Sequence, residues 1–312
     1  MKTASTAVRN CIIVLFLTAM VAVAEISGIH EMVFPEAAAL CVGLWLLPKA
    51  VWNVRWWQIP LLLTTAAFIG LATNLLLPCR FEVRFALAFI VVISLLRLVR
   101  CNMYPVASAA MLPVLIDTRS WAYPLSVLVL SLLLAGGRVL LRQEGRSEYS
   151  PFTLLQLVLL AIALCIPLAV SSILHLSILN YALVPPLVVT MIEFAGRKSG
   201  FRKRPWSIWG LIVAAATLGA YLQWLVHLTW GLPSAVGAFV ALSLMLLLFH
   251  RFKPFAPALA ICLVPILLHD EALPFFPLLV ALGSAWFIVA GELVARWSER
   301  KKWDNRPKPN GT

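Results

Sequence analysis

Residues 57–77 read WQIPLLLTTAAFIGLATNLLL, and residues 206–226 read WSIWGLIVAAATLGAYLQWLV. Each stretch approaches the roughly 20 apolar residues that a helix needs to cross a bilayer. Sliding the chain on itself by 149 residues lays Trp57 on Trp206, Ile59 on Ile208, Ala66 and Ala67 on Ala215 and Ala216, and Gly70 on Gly219. Asn74 then falls on Gln223, and Ser94 on Ser243. One such run predicts a membrane helix; its recurrence predicts an internal repeat of the unit that contains it.

The repeat extends outward. A further shift of three residues brings Pro105 and Pro113 onto Pro257 and Pro265, and one more brings Pro124 onto Pro277. Twelve apolar runs can be bracketed in all, six per copy. The first set is 11–26, 33–47, 59–77, 85–99, 105–116 and 124–139; the second is 154–176, 183–194, 206–226, 235–249, 255–268 and 273–294. Several fall short of the length a crossing helix needs, and prolines punctuate their starts, so some are expected to be unwound at one end. An even number of crossings per copy makes the two copies enter the membrane in the same direction, as parallel repeats.

Composition excludes a water-soluble fold. The 312 residues are 62% hydrophobic and 12% charged, against roughly 45–50% and 25% in soluble domains. The net charge of +12 would suggest nucleic acid on a soluble protein. Here the charges sit between apolar runs and in the tails, which points to lipid headgroups and to no nucleic-acid partner. Six cysteines, Cys11, Cys41, Cys79, Cys101, Cys165 and Cys262, lack metal or disulfide spacing and read as small apolar residues. No cofactor is expected.

The basic residues set the orientation, because Lys and Arg accumulate in cytoplasmic loops. With twelve crossings and the N-terminus inside, all Lys and Arg but Arg80, Arg84 and Arg119 fall on the cytoplasmic side. Trp52, Trp56, Trp57 and Trp206 then lie at the cytoplasmic interface, which suits their amphipathic rings. The start of the chain, with Ala22-Val23-Ala24 before Glu25, also resembles a cleavable signal peptide, but the repeat gives the first run an uncleaved counterpart at 154–176. The expected layout is a first membrane repeat at 1–143, a cytoplasmic linker at 144–150, a second repeat at 151–297 and a basic cytoplasmic tail at 298–312. Both termini are placed in the cytoplasm, in a cytoplasmic (inner) membrane.

Ionisable and polar groups at membrane depth are costly and mark candidate sites. Glu36 opens the second run. Arg97 lies one helical step from Arg100, placed either to line a path or to snorkel to the surface. Asn74 and Gln223 hold matched positions, facing each other across the repeat interface or serving as interhelical glue. Pro105 and Pro257 begin short helices whose N-terminal ends offer positive dipole to an anion, with Tyr104 before and Ser108 just inside the first of them. His30, His175, His227, His250 and His269 have no metal spacing.

The segment Met103-Tyr104-Pro105-Val106-Ala107-Ser108-Ala109-Ala110-Met111-Leu112-Pro113 resembles the HPP family of membrane proteins, named for a His-Pro-Pro triplet followed by small residues and an apolar helix. Phe34-Pro35-Glu36-Ala37-Ala38-Ala39-Leu40 is similar to that family's phenylalanine and small-residue segment. Met103 and Tyr104 stand where the first two triplet residues would be, and the second copy keeps only Pro257. The resemblance implies an integral membrane protein, in a family with members implicated in nitrite transport.

Together these readings predict an all-α transporter or channel-like protein, not an enzyme, moving a small solute, with anions among the candidates, between two six-segment halves. Two other classes stand beside it: a membrane enzyme acting on lipid-linked substrates, built on Glu25, His30, Glu31 and Glu36, and a non-catalytic partner subunit. A homo-oligomer stays open.

Overall fold

A computed structural model describes residues 6–47, 49, 51–141, 148–196 and 199–304, the last four by backbone alone. Most of the expected linker, Arg142, Arg146, Arg197, Lys198 and the end of the basic tail lie outside these residues. Among the described residues every regular element is helical. The first half contains α1 (Thr6–Ser27), α2 (Glu36–Cys41), α3 (Gln58–Leu76), α4 (Phe81–Leu98), α5 (Pro105–Leu115) and α6 (Ala122–Leu140). The second contains α7 (Leu154–Leu174), α8 (Pro185–Ala195), α9 (Pro205–Leu222), α10 (Ser234–Arg251), α11 (Ala256–Leu263) and α12 (Phe276–Asp304). Short 3₁₀ or π segments extend several of them, among them π turns at Val42–Leu46 after α2 and Gln223–Thr229 after α9.

Among the described residues, seven helices are long and apolar enough to cross a membrane: α1, α3, α6, α7, α9 with its π extension, α10 and α12. An eighth span results if the 3₁₀ segment Ser177–Leu183 and α8, bent by 42°, count as one. Large apolar side chains such as Leu76, Leu132, Leu282 and Leu293 lie exposed on these helices, where only hydrocarbon would not penalise them. The chain is a multi-pass helical membrane protein. The expectation of twelve full crossings goes further than these lengths allow. α4 carries Glu82, Arg84 and Arg97 in 18 residues, and α2, α5, α8 and α11 are short.

The four short helices are the inside of the molecule. Every residue of α2 is buried, as is all of α11 except its first residue, Ala256, and all of α5 except its last, Leu115. α2 packs on α11, and α5 on α8, so each half inserts its short helices against those of the other. The long helices interlock likewise, α1 against α10 and α7 against α4. A helix apolar all round has no solvent-facing stripe and must be enclosed.

Close approaches recur at matched positions. A Cβ on Gly70 of α3 would collide with the Ala110 carbonyl and the Pro113 ring of α5; a Cβ on Gly219 of α9 would collide with the Cys262 carbonyl and press on the Pro265 ring. Gly137 of α6 lies under the Trp45 ring, and Gly291 of α12 against Met191 and Phe194. Backbones this close exclude any larger residue.

Proline inside a helix removes one donor and frees the carbonyl four residues earlier, a group that needs a partner at membrane depth. Each interior proline has one. Pro113 frees Ala109 O, which accepts from the Tyr123 hydroxyl at 2.9 Å. Pro167 frees Ala163 O, which accepts from Trp286 Nε1 at 3.0 Å. Ahead of Pro265 the helix tightens to 3₁₀, and the Val264 N–H donates to Ile261 O.

Candidate functional site

The first turn of α5 carries the most unusual chemistry in the fold. Glu36 opens α2 and is 1% exposed. Its Oε1 accepts from Ser108 Oγ at 2.5 Å, while Oε2 is buried with no partner. Tyr123 of α6 lies within electrostatic reach of this carboxyl group, with its ring edge-on to Phe34 at 6.3 Å. A carboxyl group buried this deeply is costly unless its environment supplies a proton or a counter-charge.

One helical turn before Ser108 stands Tyr104. It is largely buried and lies within electrostatic reach of Glu193 on α8 and of Tyr149. Phe152 packs over the Tyr104 ring at 5.8 Å. Arg97, Cys101, Tyr104, Tyr149 and Phe152 line a small crevice at this end of the molecule. Two carboxyl groups from different halves, Glu36 and Glu193, thus flank the opening turn of α5.

The other sequence-predicted residues go elsewhere. Asn74 donates to the carbonyls of Pro113 and Thr118 at 2.7 and 2.8 Å and accepts from Arg84, which also pairs with Asp117 at 2.7 Å. Gln223 donates to Ser234 Oγ at 3.1 Å. Both amides are bonded within their own half, so they join elements rather than face each other across the seam. Arg97 is exposed. Pro105 and Pro257 are buried at the starts of α5 and α11, but the N–H groups of Val106 and Ala107 already donate to the Met103 and Tyr104 carbonyls. That leaves α5 no free first-turn donor pair for an anion.

No family model matches the chain, and neither does any curated protein or solved structure.

The HPP resemblance therefore rests on the residues quoted for it. The acidic group considered for an enzyme is dispersed: Glu25 accepts from the Ser234 N–H at 2.9 Å, Glu31 lies 3.4 Å from Thr118 Oγ1, and Glu36 is enclosed. Three apolar grooves, of about 480 Å³ between α7 and α12, 480 Å³ between α4 and α7, and 420 Å³ between α9 and α12, lie along the flanks rather than at Glu36. Sequence reading missed Glu193 and Tyr123. Glu193 was legible as a lone acid inside an apolar run; the role of Tyr123 depends on Pro113, ten residues away.

Proposed function

We propose that this chain is a membrane transporter that moves a small solute along the seam where the short helices of two parallel six-helix halves meet. The observation that carries this reading is Glu36, a buried carboxyl group with one oxygen unpartnered, on a short helix enclosed by both halves. A scaffold has no use for such a group, because a well-packed apolar residue there would be at least as stable. A carboxylate at the seam favours a cation or a neutral solute over the anions considered from sequence.

The matched contacts of Gly70 and Gly219 support an internal repeat. Its orientation follows from two groups of loops. Asn10 with His250, Arg9 with Trp45 O, Asn53 with Asn102 and Arg138 with Val54 O tie one end together. Glu25 with Ser234, Arg84 with Asp117 and Asn74 with Thr118 O tie the other. The first end collects most of the described Lys and Arg, which supports reading it as the cytoplasmic one, the side on which both termini are proposed to lie. Two interlocked halves with enclosed short helices form a bistable pair suited to alternating access by rocking.

The test is a swelling assay on proteoliposomes offered ammonium, urea, formate, nitrite and nitrate. Ammonium or urea should enter faster than in empty vesicles, and faster than nitrite. Entry of none of them would remove transport and leave the partner-subunit reading. The exposed thiol of Cys79 tests orientation: an impermeant maleimide added to intact cells should label it, and protection until the cells are opened would reverse the arrangement.

A further inference from the structure

We infer that α5 carries a proton route from the cytoplasmic end into the seam, with Glu193 and Glu36 as successive proton-binding groups; this rests on the transport reading and names its coupling ion. Four observations converge on one helical turn. Ser108 Oγ bonds Glu36 Oε1, and Glu36 Oε2 is buried and bare. Tyr104, four residues back and so about 6 Å along the axis, lies within electrostatic reach of Glu193 on α8, a helix packed on α5. Tyr104 borders the crevice formed with Arg97, Cys101, Tyr149 and Phe152, which opens towards the basic end. Beyond Glu36, the Tyr123 hydroxyl lies on Ala109 O, one residue further along the same helix.

Among the described residues, the surroundings supply no fixed counter-charge for Glu36. Of the elements packed on α2, α5 has no ionisable side chain, α11 only Cys262, α6 Tyr123 and the distant Arg138, and α1 has Arg9, Cys11 and Glu25 towards its ends. Around α8, the packed elements bring Tyr104 at the start of α5, Cys165 on α7, Tyr181 on the 3₁₀ segment, Cys262 on α11, Arg202 and Lys203 on the loop, and Glu292, Arg296, Glu299 and Arg300 on α12. Arg202 is already held by Glu292 at 2.8 Å and Glu299 at 2.5 Å. With no cation committed to it, Glu36 is charge-balanced by a proton. In each transfer one O–H bond breaks and one forms: the Glu193 carboxyl releases its proton to water admitted when the halves rock, and the Glu36 carboxylate takes it up on Oε2. No electrons change hands.

The second half does not duplicate this chemistry. Pro185, Ala256 and Ala260 occupy the positions of Glu36, Tyr104 and Ser108, so one proton route per molecule is expected.

The experiment uses the full chain in proteoliposomes with a trapped pH dye, driving protons inward with a valinomycin-set potassium potential. Wild type should acidify the lumen well above empty vesicles. Glu36→Gln and Glu193→Gln should each slow this at least tenfold, Glu36→Asp should restore part of it, and Glu271→Gln at an exposed loop should leave it unchanged. Infrared difference spectra across a pH step should show a protonated-carboxyl band that Glu36→Gln removes; this reads the group even where flux is lost through misassembly. Unchanged flux in Glu36→Gln overturns the route. Solute entry by swelling without any proton flux also overturns it and leaves the transport reading intact. Proton flux without entry of any solute upholds the route and removes the solute reading. Absence of both removes both.

Discussion

The two halves of this protein share a frame and differ in chemistry. In both, a glycine on the third helix meets the fifth helix of its own half beside a proline, Gly70 with Ala110 and Pro113, Gly219 with Cys262 and Pro265. In both, the short helices are enclosed. Yet Glu36, Ser108 and Tyr123 of the first half face Pro185, Ala260 and Phe276 at the matching places in the second. Close backbone contact tolerates no side chain, which accounts for glycine at both positions.

The largest effect should come from breaking the shared frame. Gly70→Leu and Gly219→Leu should both abolish monodisperse protein in size-exclusion chromatography, because neither backbone carbonyl can retreat from the new side chain. The milder Gly70→Ala and Gly219→Ala should each cost about 1–3 kcal/mol, read from thermal unfolding in detergent. Tolerance of one glycine change but not the other would break the equivalence of the halves.

Next comes the way each half repairs its proline. Tyr123→Phe leaves Ala109 O buried without a donor and should cost about 1–3 kcal/mol, whereas Phe276→Leu, which removes no hydrogen bond, should show only a packing loss. Trp286→Phe should cost about 1 kcal/mol by orphaning Ala163 O. An unchanged melting temperature for Tyr123→Phe would show that the hydroxyl does not serve the helix.

The smallest effect is expected at the Arg202 cluster of the second half, which has no counterpart in the first. Hydrogen bonds to Glu299 and Glu292 hold the Arg202 guanidinium above its ordinary range. A base raised in the folded state contributes its stability below its unfolded value and loses it only above the folded one, so this pairing should be constant from neutral to moderately alkaline pH. Arg202→Ala should cost about 1 kcal/mol or less, since Glu299 is half exposed and the network meets solvent. A melting temperature that falls between pH 7 and pH 10 in wild type but not in Arg202→Ala would contradict this.

The sequence by itself determined the class and the positions of the helices, because hydrophobic run length and the placement of glycine and proline are properties of the chain read in order. All twelve apolar runs contain an α-helix. Run length did not reveal that four of them are enclosed rather than lipid-facing, because an apolar residue is equally at home against hydrocarbon and against another helix. Glu36 was legible as an acid at membrane depth, and Arg97 as a basic residue near an interface. Only the tertiary structure decided that Glu36 meets Ser108, that α8, the helix of Glu193, packs on α5, and that Asn74 and Gln223 are bonded elsewhere. Those contacts join residues far apart in the chain, and a polar group's role at membrane depth is set by whichever partner the packing brings to it.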